Sequence, residues 1–549
     1  MKVNRRSFRT KNMIHLHGLV YITLMCFILL AFFLVLANVG SIIAYFGLDT
    51  GSADSTSIKN IVENGADAVE VKETNSYFEG GNGDLTVAVW GEDELIDSVC
   101  SQMQIMSQSY KRCSNLNRLD RYDLLIVGGE DLTTAQYQQI ADYVDEGGNV
   151  WFVNILDMSH NALLDEICGI SINSGKKTWP GYRFSENLIS EPLLEDYDRE
   201  VTARAVTLKS RAKVFAGALP EGFVHMSNDD LPPLIWRYIK DNDSGAVYVC
   251  NGDFVEDETV YLMTPIWLSE IQNDYMYQII DAYCVYADGF PYADNGESEN
   301  WQRLYGRDKL SIARDLIQNQ YSKYAVSYDA RITYFTRDLE TFENTDDSEL
   351  IYFKNAVTSS MGTMALKTDS GLYISSEDDK VSIKDWEGGF EFVDSDDGTI
   401  SLPINFEFSI DESEDSSFAM AGSIVGLGFY AMSNSIDEVL DYDGETDIWN
   451  KYCEDQEVAL GVGNKDYSWL DRLTAPQALE RIVNILNSDT KTEYTDSGIK
   501  ITSDSDDGRF ILRTRRSKLK ITGGTLQQLS DSSWFVHMTD KEAEITWED

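Results

Sequence analysis

From residue 85 onward, short apolar runs alternate with amphipathic stretches. Residues 85–90 (LTVAVW), 122–127 (YDLLIV), 149–154 (NVWFVN) and 245–250 (GAVYVC) have the length and β-branched or aromatic content of buried strands. Between them, residues 92–110 suit a helix. Thr133 caps a second helix reaching Glu146, with Ile140, Tyr143 and Val144 on one face. Gly128-Gly129 stops one strand and Gly147-Gly148 ends the second helix. Strand–helix alternation at this spacing predicts a parallel sheet covered by helices, a flavodoxin-like layer. Residues 163–241 are less regular, with β-rich pieces such as 203–208.

A second α/β run starts at Asp281. Residues 282–286 read as a buried strand that carries Asp288 to a sharp exit at Gly289 and Pro291. Helices are predicted at 309–321, 350–360 and 475–486, and strands at 330–335, 363–368 and 400–406. Residues 423–429 are apolar and small, and 449–453 and 467–470 add short apolar pieces. About 200 residues of alternating elements are enough for a closed or nearly closed (β/α) barrel, which places its chemistry at strand ends such as Asp288. The tail differs: 498–502, 509–513, 519–522, 534–537 and 543–547 are short β-type runs, predicting a small sandwich or sheet. The domain reading is therefore a basic tail (1–18), an apolar span (19–48), a linker (49–83), a parallel-sheet domain (84–275), a barrel (276–490) and a β domain (491–549). A short helix is predicted near 58–68 of the linker.

Charge separates the ends of the chain. Residues 1–16 carry Lys2, Arg5, Arg6, Arg9 and Lys11 and no acid. Of the chain's 45 basic residues, 40 therefore remain to face 92 acids, within an overall charge of −47. Such a surface repels phosphate backbones, so nucleic acid is not an expected partner. A cationic partner would suit it, as would a plain solubility role. Residues 19–48 contain no charge, and at ~1.5 Å per residue a helix there exceeds the ~30 Å apolar core of a bilayer. The basic end precedes the span, so the expected topology is a single-pass anchor with a cytoplasmic N-terminus and the bulk of the chain extracytoplasmic. Among seven scattered cysteines no Cys-x-x-Cys occurs; Cys100 and Cys113 could form one bridge, against the plainer reading of buried small residues.

Standard catalytic signatures are absent. Gly128-Gly129-Glu130-Asp131 has no Gly-Lys-Ser/Thr and no Gly-x-Gly-x-x-Gly, so it reads as a strand-to-helix turn. No Gly-x-Ser-x-Gly or Gly-x-Cys-x-Gly elbow displays a nucleophile. The five histidines are His15, His17, His160, His225 and His537, so none lies in the barrel segment. A hydrolytic zinc site usually takes nitrogen ligands. Paired carboxylates could still serve a glycosidase, with Asp288, Asp338 and Glu407 near strand ends, although 92 acids make such coincidences common. Aromatic residues cluster at the first barrel strand, where Tyr286, Phe290 and Tyr292, with Tyr334, could stack on sugar rings or simply pack the core.

The stretch 275–292, followed by Leu304-Tyr305-Gly306-Arg307-Asp308 and Thr333-Tyr334-Phe335, resembles a bacterial membrane-anchored family found with exopolysaccharide biosynthesis, including Gram-positive Pel-type clusters. Asp397-Gly398 with Leu402-Pro403, Asp437-Glu438-Val439-Leu440-Asp441 and the run 468–475 fit the same pattern. That family joins an amidotransferase-like domain, here without the catalytic cysteine, to a polysaccharide-deacetylase-like barrel. Its first strand ends in an aspartate pair before Phe-Pro, one a base and one a metal ligand. Here the pair reads Asp288-Gly289, so the ligand position is lost. Its next motif ends in a histidine, with a second four residues on. Here Lys367 and Gly371 stand there, and the lysine brings a positive charge to the place of the cation. The resemblance implies a degenerate deacetylase, with no metal and no cofactor. It would bind polysaccharide through Asp288, Tyr286, Phe290, Tyr292, Lys367 and Tyr334, and its partners would be the polymer, the membrane and other synthesis proteins. An active carbohydrate hydrolase and a surface sensor or adhesion module are the alternatives.

Overall fold

The computed structural model describes residues 55–548 except 65–68, 70–76, 84, 130, 185–194, 197–198, 223–229, 291–298, 339–347, 370, 375–380, 386–391, 394–398, 409–416 and 443–447. The span at 19–48 lies outside the described residues. Among the described residues no helix is long and apolar enough to cross a membrane. The linker helix occupies Ser55–Asn64.

The first sheet is half parallel. Tyr110–Arg112, Val87–Trp90, Leu124–Val127, Asn149–Phe152 and Ala246–Cys250 run parallel in that order. Helices Glu94–Ile105 and Thr134–Asp145 connect them, the second closed by the capping box of Thr133 and Gln136. Beyond Ala246–Cys250 the sheet turns antiparallel through Pro233–Ile239, Ala212–Leu219 and Gly181–Phe184. The irregular middle of the sequence thus supplies hairpins rather than crossovers, and short turns enforce antiparallel pairing. Ile170–Trp179 and Val201–Leu208 form a separate two-stranded ribbon. Cys100 and Cys113 are both free thiols. Burial pushes Cys100 up to about 11, so it behaves as a packed apolar group.

The second sheet is a nearly closed barrel. Ala282–Asp288 pairs in parallel with Ile332–Thr336 on one side and Phe429–Ser435 on the other. Thr363–Thr368 follows in parallel, Gly371–Tyr373 reverses direction, and Val381–Asp385 restores it. The chain from Ile400 then pairs with Val381–Asp385 through Ile404, and with Phe429–Ser435 from Phe406 onward. Asn405 spans the joint: its N–H donates to the Ala431 carbonyl (2.9 Å) and its Oδ1 accepts from the Ala431 N–H (2.8 Å).

The small apolar stretch is a helix, Ser417–Leu427, and the strand Phe429–Ser435 follows it. This helix lies close against Asp257–Ile271. A Cβ on Gly422 would come within 2.4 Å of the Glu258 carbonyl, and one on Gly426 within 2.4 Å of the Tyr261 carbonyl. Only glycine permits that approach. The tail forms two four-stranded antiparallel sheets around Ile499, Ile501, Phe510, Leu512, Val536 and Ile545. One of them recruits Tyr275–Gln278, the strand just before the barrel.

Candidate functional site

Side chains alternate across the first barrel strand. Tyr283, Val285 and Ala287 join the helix-side core with Tyr321, Tyr334, Phe353 and Tyr452. Ala282, Cys284 and Tyr286 face the other core, with Phe335, Ala365 and Leu402. Period two puts Asp288 on this second, inner face. In register, Asp288 pairs with Phe335 and Phe335 with Ala365. Lys367, two residues beyond Ala365, therefore shares the inner face and reaches the same end of the barrel.

There the lysine is shared. Its Nζ donates to Asp288 Oδ2 at 2.7 Å and to Asp437 Oδ2 at 3.1 Å. Arg337, just past the strand Ile332–Thr336, donates to Asp437 Oδ2 at 2.9 Å. Asp437 lies in the first turn of the helix Ile436–Asp441, where the helix dipole favours an anion. Gly289 makes this packing possible. Its φ is +74°, and a Cβ there would sit 2.4 Å from Asp437 Cγ. Gly371 pairs with Thr368, next to Lys367, across the same hairpin. Asp288, Gly289, Lys367 and Gly371 thus gather at one barrel mouth, joined by Asp437 and Arg337.

The hydrogen-bonded groups at the mouth set two carboxylates against two cations, and Asp369 also acts on Arg337. The side chains of Asp288 and Lys367 are 12% and 17% exposed, enough burial to make that balance matter. Burial raises the Asp288 carboxyl above its usual range, and Asp437 adds to this, while Lys367 pulls the other way. Burial works against the Lys367 ammonium too, but Asp288 and Asp437 outweigh it and hold its pKa up. Asp288 Oδ1 is buried without a hydrogen-bond partner among the described residues, as is the Tyr286 hydroxyl below it.

The aromatic candidates divide. Tyr286 faces inward and meets Phe335 edge-on at 5.7 Å. Phe290 and Tyr334 pack against each other and against Tyr321 in the helix-side core, both fully buried. The structure therefore does not bring them to the ion-pair cluster. Tyr292 lies outside the described residues. Asp338 is exposed just after Arg337, and Glu407 is exposed in register with Ser433. Arg337 was not singled out from sequence, and Asp437 stood there only within a run of the resemblance, with no role at the site. The signal for Asp437 was Ser435-Ile436-Asp437-Glu438, a helix start in which the Ser435 hydroxyl caps Glu438.

The residues at the mouth do not fit a transition-metal centre. A divalent ion would have to displace an ammonium already bonded to both carboxylates, and no imidazole is within reach in the barrel sequence. Among the described residues no three His, Cys, Asp or Glu side chains form a metal-holding group.

No family model and no curated protein matches the sequence. Among solved structures, the carbohydrate deacetylase Agd3 aligns with 85% of this chain and 99% of its own, at 10% identity and TM-score 0.48. A catalytic mutant of Gan42B, a GH42 β-galactosidase from G. stearothermophilus, aligns with 34% of this chain and 30% of its own, at 14% identity and TM-score 0.27. The mmIFT52 N-terminal domain aligns with 34% of this chain and 96% of its own, at 15% identity and TM-score 0.24.

Proposed function

We propose that this chain is a membrane-anchored, extracytoplasmic protein of exopolysaccharide production. Its barrel binds or guides polymer, or scaffolds the synthesis machinery, without hydrolysing it. The first sheet stands as an amidotransferase-like layer lacking a nucleophile, and the apolar residues 19–48 as the anchor. The observation that supports the non-catalytic part is the Lys367 ammonium, 2.7 Å from Asp288 and 3.1 Å from Asp437. A tethered cation in that position neutralises the carboxylates a hydrolytic metal would need.

A second reading has one observation in its favour. Asp288 and Asp437 share one ammonium, so they are close enough to act as a pair, and the raised Asp288 carboxyl suits a proton donor. One set of measurements separates the two: metal content of the purified chain, acetate release from acetylated amino-sugar oligomers, and hydrolysis of chromogenic glycosides. The expected outcome is sub-stoichiometric metal and no turnover. Stoichiometric Zn²⁺ with acetate release abolished by Asp288→Asn would overturn the proposal, and Asp288-dependent glycoside cleavage would install the second reading.

A further inference from the structure

One basic stretch of this acidic protein lies far from the barrel mouth in sequence. Residues 170–179 and 201–219 contain Lys176, Lys177, Arg204, Lys209, Arg211 and Lys213 and not one acid. In a chain with 92 acids and 45 bases, that stretch inverts the general rule. These residues build the ribbon Ile170–Trp179 with Val201–Leu208, and the adjoining strand Ala212–Leu219.

A groove of about 590 Å³ runs between that ribbon and the sheet, with Lys177, Lys209, Val214, Leu231 and Pro233 among its walls and, among the described residues, Asp230 as its one acid. Three of the six cations are occupied elsewhere. Lys176 pairs with Asp157 at 2.5 Å, the buried Arg204 donates to the carbonyls of Leu156 and Met158, and Arg211 donates to Asn242. The two lysines in the groove differ. Lys177 lies over the Trp179 ring at 5.3 Å. Lys209 lies over the Tyr238 ring at 5.8 Å and reaches the Glu166 carbonyl at 3.4 Å. Among the described residues, neither is within ion-pair distance of a carboxylate. Ring faces pre-position an ammonium without neutralising it, leaving its charge available to an anion.

We infer that this groove binds an acidic, extended polypeptide segment, a function separate from the barrel and from the polysaccharide reading above. Charge complementarity selects an anion. The choice of peptide over an anionic glycan rests on the walls. A sugar ring is usually held by an exposed aromatic face. Here Trp179 is 4% exposed and Tyr238 7%, each with a lysine across it, so neither offers that face. The walls are instead aliphatic and proline-lined, suited to an extended backbone with its side chains. Ile170–Trp179 is moreover an outer strand, paired among the described residues with Val201–Leu208 alone, which leaves main-chain groups along its other edge.

The test titrates the full chain with a fluorescent oligo-glutamate peptide and, separately, with an oligogalacturonate of equal charge. The peptide should bind saturably and weaken as salt rises. Lys177→Glu with Lys209→Glu should weaken it about tenfold or more, because charge reversal turns attraction into repulsion. Arg515→Glu with Lys518→Glu, in the tail stretch 509–520, which also carries six cations and no acid, should leave binding unchanged. An unchanged thermal melt in both double variants shows that folding is intact. Absence of peptide binding, equal binding by the groove variant, or tighter binding of the uronate than of the peptide would each overturn the inference.

Discussion

The two ends of the first barrel strand each hold a buried aspartate among cations, and they are built differently. At the base, Asp281 is 1% exposed and every part of its carboxylate is used. Oδ1 accepts from the Asp471 N–H at 3.0 Å, and Oδ2 accepts from Arg509 Nε at 2.7 Å and from Arg481 at 3.4 Å. Arg481 also donates to the Asp281 carbonyl, and both arginines reach Asp471. The arginines come from the helix Ala475–Asn487 and the tail strand Arg509–Arg513, so one carboxylate ties strand, helix and tail together. At the mouth, Asp288 meets a lysine rather than arginines, and among the described residues its Oδ1 has no side-chain donor. A guanidinium fixes geometry through several donors, whereas an ammonium is a point charge on a flexible stem. The base is a weld. The mouth is a plug held by one flexible ammonium.

The sharpest way to break this comparison is Asp281→Asn. Asparagine tolerates the positive φ of +59° at this position, so the substitution removes charge without adding backbone strain. It takes from two guanidiniums the deepest of the carboxylates they share, leaving them Asp471 and, for Arg509, Asp507, and a loss of ~2–3 kcal/mol in urea unfolding is expected. A loss below ~1 kcal/mol would show that the base is no weld.

The mouth should cost less. Lys367→Met keeps the stem and removes the ammonium, leaving two carboxylates facing each other, and ~1–2 kcal/mol is expected. A double-mutant cycle with Asp437→Asn should return a coupling of ~0.5–2 kcal/mol. Zero coupling would mean that the shared lysine contributes nothing.

The smallest effect is the pH response, and its sign separates Asp507 from the two buried aspartates, since burial pushes Asp281 up to about 7 and raises Asp288 as well. Asp507, beside the base, is pushed up by its partial burial, but His537 and Arg509 outweigh this and hold it at about 2. A depressed carboxyl contributes stability above its unfolded pKa and loses it as pH falls through the folded value. Asp507 is 54% exposed, so solvent screening leaves on the order of 1 kcal/mol, lost between about pH 4 and 2. Asp288 is raised, so its contribution is present below the unfolded carboxylate pKa and is lost as pH rises through the folded value. Acid unfolding of Asp507→Asn and Asp288→Asn should therefore shift in opposite directions.

What could be read from the sequence follows the same division. Asp288, Gly289 and Lys367 were legible because they stand at motif positions on or beside short strands with clear patterns. Their partners were not, because Arg337 and Asp437 sit just past strands that meet only when the barrel closes. The strand Phe429–Ser435 was missed for a physical reason. It is buried on both faces yet includes Ser433, Asn434 and Ser435, so it shows neither alternation nor a continuous apolar run. The parallel half of the first sheet was readable from strand–helix alternation, and its antiparallel half was not, since hairpin strands lacked that rhythm. Phe290 and Tyr334 show the limit of composition: an aromatic beside a motif can belong to the helix layer behind it.

One strand carries a consequence for how this molecule is made. Tyr275–Gln278 finds its partner in Arg509–Arg513, roughly 235 positions further along the chain. During synthesis the lead-in to the barrel must therefore wait, with one flank bare, until residue 513 has emerged. Clipping the tail would not trim an accessory; it would reopen an edge beside the barrel's first strand, where unintended neighbours can attach.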